Sequence, residues 1–104
     1  MAKNYRELSR VINEALNIGL KAAKTVDDGG SANLDRICIC ELPRVQEKTL
    51  NNAGIDCRKH WKWSGTFVLG ASFGQGNKNT IGLEAAINHM KNNGVDCYMH
   101  WQVD

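Results

Sequence analysis

The sequence is poor in proline, with one in 104 residues, and poor in aromatics, at 7%. One proline and ten glycines exclude a collagen-like repeat. No apolar run approaches the ~20 residues a membrane-spanning helix needs. The N-terminus lacks the continuous apolar stretch of a secretion signal, so none is expected. Charge of one sign is lacking too: thirteen basic against eleven acidic residues leave +2 at pH 7. That balance is too near neutral to demand a nucleic-acid partner. Four cysteines are fewer than a disulfide scaffold carries. Without a secretion signal they are expected as reduced thiols in the cytoplasm. Cys38 and Cys40 share a strand face roughly 6–7 Å apart, which disfavours a bridge between them.

What is present is ordinary for a globular chain. Apolar residues make up 42% and charged residues 23%, which argues against disorder and against a coiled-coil rod. The length fits one domain, residues 1–104. A chain of this size hides something over ~60% of its unfolded surface.

Hydrophobic periodicity orders the chain. Tyr5, Leu8, Ile12, Ala15, Gly19, Ala22 and Val26 step by three and four, widened by Leu16 and Ala23, and predict a helix over about 4–26. Asp27-Asp28-Gly29-Gly30-Ser31 stops it. A strand is expected over 36–42, ended by Pro43, then a short helix over 44–52 closed by Gly54. Residues 55–63 alternate as a strand, Ser64-Gly65 reads as a hairpin turn, and 66–73 is the next strand. A helix over about 79–92 and a cleanly alternating strand over 95–103 complete the chain.

Gly54-Ile55-Asp56-Cys57-Arg58-Lys59-His60-Trp61 is repeated as Gly94-Val95-Asp96-Cys97-Tyr98-Met99-His100-Trp101, forty residues on. Each copy follows a predicted strand and helix. The chain is therefore two βαβ units, about 35–63 and 66–104, behind an N-terminal helix. That order predicts an α+β, ferredoxin-like split βαβ fold: a four-stranded antiparallel sheet with helices on one face. Ile37, Ile39, Cys57, Trp61, Trp63, Phe67, Leu69, Phe73, Cys97, Met99 and Trp101 are expected in the core. The other sheet face is then mostly polar and somewhat basic.

Several groups of residues have a chemical reading. Cys57, His60, Cys97 and His100 have the composition of a zinc set, but residues three apart on a strand face opposite sides. Asp56 with His60, and Asp96 with His100, are candidate acid–base pairs, yet four strand residues span ~13 Å. The glycine-rich passage 70–80 precedes a helix, where an anion can bind, but it is neither a Walker loop nor a dinucleotide fingerprint. The run Ile37-Cys38-Ile39-Cys40-Glu41-Leu42 shares only the aliphatic frame of the first strand of RNA-recognition domains; their stacking aromatics are missing.

No convincing catalytic set emerges, and nothing calls for a cofactor. The expectation is a non-enzymatic binding or regulatory module acting by protein–protein contact. Its candidate binding face is Arg36, Arg58, His60, Lys62, Tyr98 and His100. A nucleic-acid-binding module through Arg36, Arg58, Lys62 and Tyr98, or an accessory or inhibitory protein of a mobile element, is the alternative. A small enzyme using His60 or His100 is the third class. A homodimer is open through the N-terminal helix or the sheet face.

Overall fold

The computed structural model describes residues 5–26, 35–40, 42, 45–60 and 65–100. Among these it shows three helices and a four-stranded antiparallel sheet, an α+β architecture. The elements in chain order are α1 (Tyr5–Ala23), β1 (Arg36–Ile39), α2 (Glu47–Asn52), β2 (Cys57–Lys59), β3 (Phe67–Leu69), α3 (Gly76–Asn92) and β4 (Cys97–His100). The strand order is β2-β3-β1-β4, with every neighbouring pair antiparallel. Among the described residues no helix is long and apolar enough to cross a membrane.

One layer of core lies between the sheet and the helices. Ile37 and Ile39 from β1, Phe67 and Leu69 from β3, Cys57 and Cys97 from the edge strands, and Leu50, Leu83, Ala86 and Met90 from the helices are all buried there. Met99 is partly buried against the same cluster. Trp61, Trp63 and Trp101 lie outside the described residues. Lys59 falls on the core side by register but stays exposed. A lysine on an edge strand discourages pairing with another chain.

The strands are shorter than the alternation predicts, and the hydrogen bonds give the reason. Both α2 and α3 end in the same cap. Gly54 N–H donates to Asn51 O and Ile55 N–H to Leu50 O; Gly94 N–H donates to Lys91 O and Val95 N–H to Met90 O. This is the Schellman pattern, which needs a left-handed residue after the helix. Gly54 and Gly94 supply it, at φ of 93° and 80°. With Ile55 and Val95 committed to the caps, β2 and β4 begin at Cys57 and Cys97 instead of 55 and 95. Leu50 with Ile55, and Met90 with Val95, place the apolar residues of each cap in or against the core.

The strand predicted over 66–73 leaves the ladder early for another reason. Phe73 N–H donates to Asn79 Oδ1 at 2.9 Å, so it is not available to a neighbouring strand. Asn79 is wholly buried, and its Nδ2 donates to Asp35 O at 3.2 Å. One amide thus ties the passage after β3 to the start of β1. The helix α3 starts at Gly76, three residues before the predicted 79.

The N-terminal helix packs beside α3. Ile12, Ala15, Gly19 and Ala23 from the predicted stripe are buried, together with Val11 and Ser9. The two helices approach closely at a pair of glycines. A Cβ on Gly19 would lie 2.6 Å from Gly82 O and 2.7 Å from Phe73 Cζ. A Cβ on Gly82 would lie 2.5 Å from Phe73 Cγ and Cδ2. On the solvent side of α1, Arg10 is held by Glu7 and Glu14, and Glu14 reaches His89 of α3 at 3.4 Å.

Candidate functional site

The face turned away from the helices takes alternate residues of each strand. The register sets Arg58, Val68, Cys38 and Tyr98 in one row across it. Extending it by two places Asp56, Gly70, Arg36 and His100 in the next row. In the other direction lie His60, Thr66, Cys40 and Asp96, a row held by His60 N–H to Thr66 O and Cys40 N–H to Asp96 O. Five of the six residues read as a binding face are therefore placed on this face. Lys62 lies outside the described residues.

The face is not uniformly solvated, which corrects the simple polar-face reading. Cys38 is wholly buried, and His60 and Thr66 are 4% and 7% exposed. His60 and His100 come from opposite edges of the sheet, yet their rings meet edge-on with centroids 5.6 Å apart. Tyr98 and Cys38 are register partners on neighbouring strands. Burial, with the Cys38 and Cys40 thiols beside it, pushes the Tyr98 hydroxyl up to about 12. Burial also raises the Cys38 thiol, against the pull of Tyr98.

The candidate zinc set is divided by the sheet. Cys57 and Cys97 are buried on the helix side, where Cys97 Sγ–H donates to Ile87 O at 3.9 Å. His60 and His100 lie on the other side. Burial drives both thiols up to about 11, as expected of cysteines packed as small apolar groups. The described residues hold no group of three or more His, Cys, Asp or Glu side chains placed to bind a metal. All four cysteines are free thiols. The acid–base pairs do not form either: among the described residues, no hydrogen bond or ion pair joins Asp56 or Asp96 to a histidine.

The open part of the face is a pocket of about 420 Å³ lined by Arg36, Asp56, Cys57, Arg58, Val68, Leu69 and Gly70. It brings together two of the predicted arginines. Arg36 comes from the central strand β1 and Arg58 from the edge strand β2, with β3 between them. Arg36 Nη1 donates to Asp35 O at 2.8 Å, which steadies its guanidinium. Neither arginine has an ion-pair partner among the described residues. The glycine-rich passage 70–80 plays a different part from the anion loop considered for it. Its Gly70 is in the pocket floor, and its Asn79 is a buried structural amide.

Sequence reasoning found the arginines but not the pocket. The signal available was Gly70, a glycine inside an alternating strand, which marks close approach of another group. Comparison of the chain with known protein families, curated proteins and solved structures gives no match.

Proposed function

We propose that this protein is a small non-enzymatic binding module, acting by protein–protein contact through the open part of its sheet face. The observation that carries this reading is the pairing of Arg36 and Arg58 in one pocket, without an ion-pair partner among the described residues. Charged side chains that line a concavity unneutralised are suited to receive a group of opposite charge from outside.

The scaffold is read as a ferredoxin-like split βαβ built from a duplicated unit, preceded by α1. The strand order, with β1 and β3 central, and the identical caps after Gly54 and Gly94 support this reading. Four free thiols, with Cys38, Cys57 and Cys97 buried, support a cytoplasmic setting.

Nucleic acid is the second reading, and the arginine pair is what favours it. Against it stands the scarcity of stacking rings: Tyr98, half-buried beside Cys38, is the one Phe, Tyr or Trp on the described face. The test has two arms. Affinity capture with the wild type and with Arg36→Gln/Arg58→Gln, followed by titration of the purified partner in a calorimeter, should give a complex that the double variant loses. Mixed-sequence RNA and DNA, read by anisotropy at about 50 and about 200 mM salt, should bind weakly at both. Micromolar nucleic-acid binding that collapses with salt would replace the first reading by the second. Light scattering reads the homodimer alternative, for which exposed Ile18, Leu20 and Ile81 on α1 and α3 mark the apolar surface.

A further inference from the structure

The pocket over β3 is more specific than a basic patch. Arg36, Gly70 and Asp56 share a row by register, and Arg58 stands one step along the strand on the far side of β3. Strand spacing puts the two arginine Cα atoms roughly 12 Å apart. A carboxylate between them is within reach of both long side chains.

Gly70 makes the room. Its backbone is not in the left-handed region, so no turn demands a glycine there. A Cβ at Gly70 would lie 2.7 Å from Asp56 Oδ2 and 3.2 Å from Asp56 Cγ. The Asp56 carboxylate therefore lies over the glycine, inside the pocket, held to β3 by Gly70 N–H donating to Asp56 O at 3.1 Å.

The charge of the pocket follows. Two guanidinium groups and one carboxylate leave one positive charge, and no ion pair joins Asp56 to either arginine. A single carboxylate neutralises that charge and matches the planar fork of a guanidinium. A phosphate dianion would overshoot it and face the Asp56 carboxylate at short range. Asp56 instead suits an N–H donor beside the incoming anion, as a peptide backbone provides.

We propose that this pocket is the anchoring point for one carboxylate side chain of an acidic protein segment, held between Arg36 and Arg58, with Asp56 accepting an N–H from the same segment. The inference rests on the protein-contact reading above and names the chemistry of its partner.

The test uses the full chain and amide and arginine Nε–H NMR spectra. The probes are a blocked peptide with one central glutamate, the same peptide with glutamine, and inorganic phosphate. The glutamate peptide should shift Gly70, Asp56 and the two arginine signals saturably, in the millimolar range expected of a single anchoring group. The glutamine peptide and phosphate should bind about tenfold more weakly or worse. Arg58→Gln, at an exposed position, should lower the peptide affinity about tenfold with a dispersed spectrum intact. Asp56→Asn should shift the preference toward phosphate. Phosphate binding tighter than the peptide, or peptide binding indifferent to both Arg36→Gln and Arg58→Gln, overturns the proposal. A captured partner whose complex survives those variants overturns this pocket while leaving protein contact standing. Absence of any partner, with RNA or DNA bound instead, removes both.

Discussion

Replacing Gly82 by alanine should destabilise this protein, although the same change usually stabilises a helix. Gly82 lies inside α3, where alanine gains about 1 kcal/mol in helix propensity over glycine. The new methyl has no room. Its carbon would lie 2.5 Å from Phe73 Cγ and Cδ2 and 2.7 Å from Phe73 Cβ. Ordinary carbon contacts are about 3.5–4.0 Å, so α3 or Phe73 must retreat by roughly 1 Å. Phe73 cannot simply swing away, because the clash is at the root of its side chain and its ring is pressed on the other side by Gly19. A retreat of α3 loosens Leu83, Ala86 and Met90 in the core. Overpacking of this kind costs about 1–3 kcal/mol, and backbone displacement places it at or above the upper end. After the propensity gain, a net loss of about 2 kcal/mol is expected.

Urea unfolding followed by far-UV circular dichroism measures this, with the midpoint falling and the slope unchanged. Asn88→Ala supplies the control. It introduces the same residue into the same helix at an exposed position and should raise the midpoint slightly. Gly19→Ala should behave like Gly82→Ala, because its methyl would meet the Gly82 carbonyl oxygen at 2.6 Å. If Gly82→Ala is as stable as the wild type, the close packing of α3 on Phe73 is wrong; if Gly19→Ala is, the close approach of α1 and α3 is wrong.

Asn79→Ala should cost about 1–3 kcal/mol in the same assay, because it strands the buried Phe73 N–H, whereas the Asp35 carbonyl keeps its bond from Arg36; Asn79→Asp should do no better, since a carboxylate cannot donate to Asp35 O. Stability should fall as pH rises from about 9 to about 11, because the unfolded chain releases the Cys57 and Cys97 protons near the ordinary thiol value while the folded chain keeps them up to about 11. Each thiol contributes on the order of 1–2 kcal/mol to that fall, and Cys57→Ala should flatten the pH profile. Arg10→Ala should leave the unfolding midpoint unchanged within error, since its partners Glu7 and Glu14 are exposed with it.

Much of the architecture is legible in local patterns. Period-3.6 stripes mark α1 and α3, and period-2 alternation places Ile37, Ile39, Cys57, Phe67, Leu69 and Cys97 in the core. The repeated Gly54 and Gly94 mark helix ends because a Schellman cap needs a left-handed residue. Element boundaries are less legible, because they turn on individual donors. Whether the Phe73 N–H joins a ladder or Asn79 Oδ1 depends on a residue six positions on. The destination of the α1 stripe was equally hidden, since an apolar stripe says that a helix is covered and not by what. The answer lies in Gly19 and Gly82, two small residues far apart in sequence that make one close contact.

The extent of the open face is set by curvature, which alternation does not encode. On a flat sheet His60 and His100 occupy diagonally opposite corners, with Cα atoms about 20 Å apart by strand spacing and rise. Their rings nevertheless lie 5.6 Å from each other. Right-handed twist raises one diagonal pair of corners of a small sheet toward the same side, and the histidine contact shows how far it goes here. Cys38 and Val68 sit midway along that diagonal, which accounts for a cysteine that faces away from the helices and is still wholly buried. The other part of the face stays open, where β3 contributes Gly70 and Val68 and the Asp56 carboxylate lies over the glycine beside Arg36 and Arg58. A polar face of six candidate residues is thereby divided by geometry. Its histidines and tyrosine close over the sheet, and its two described arginines border what remains accessible to a ligand.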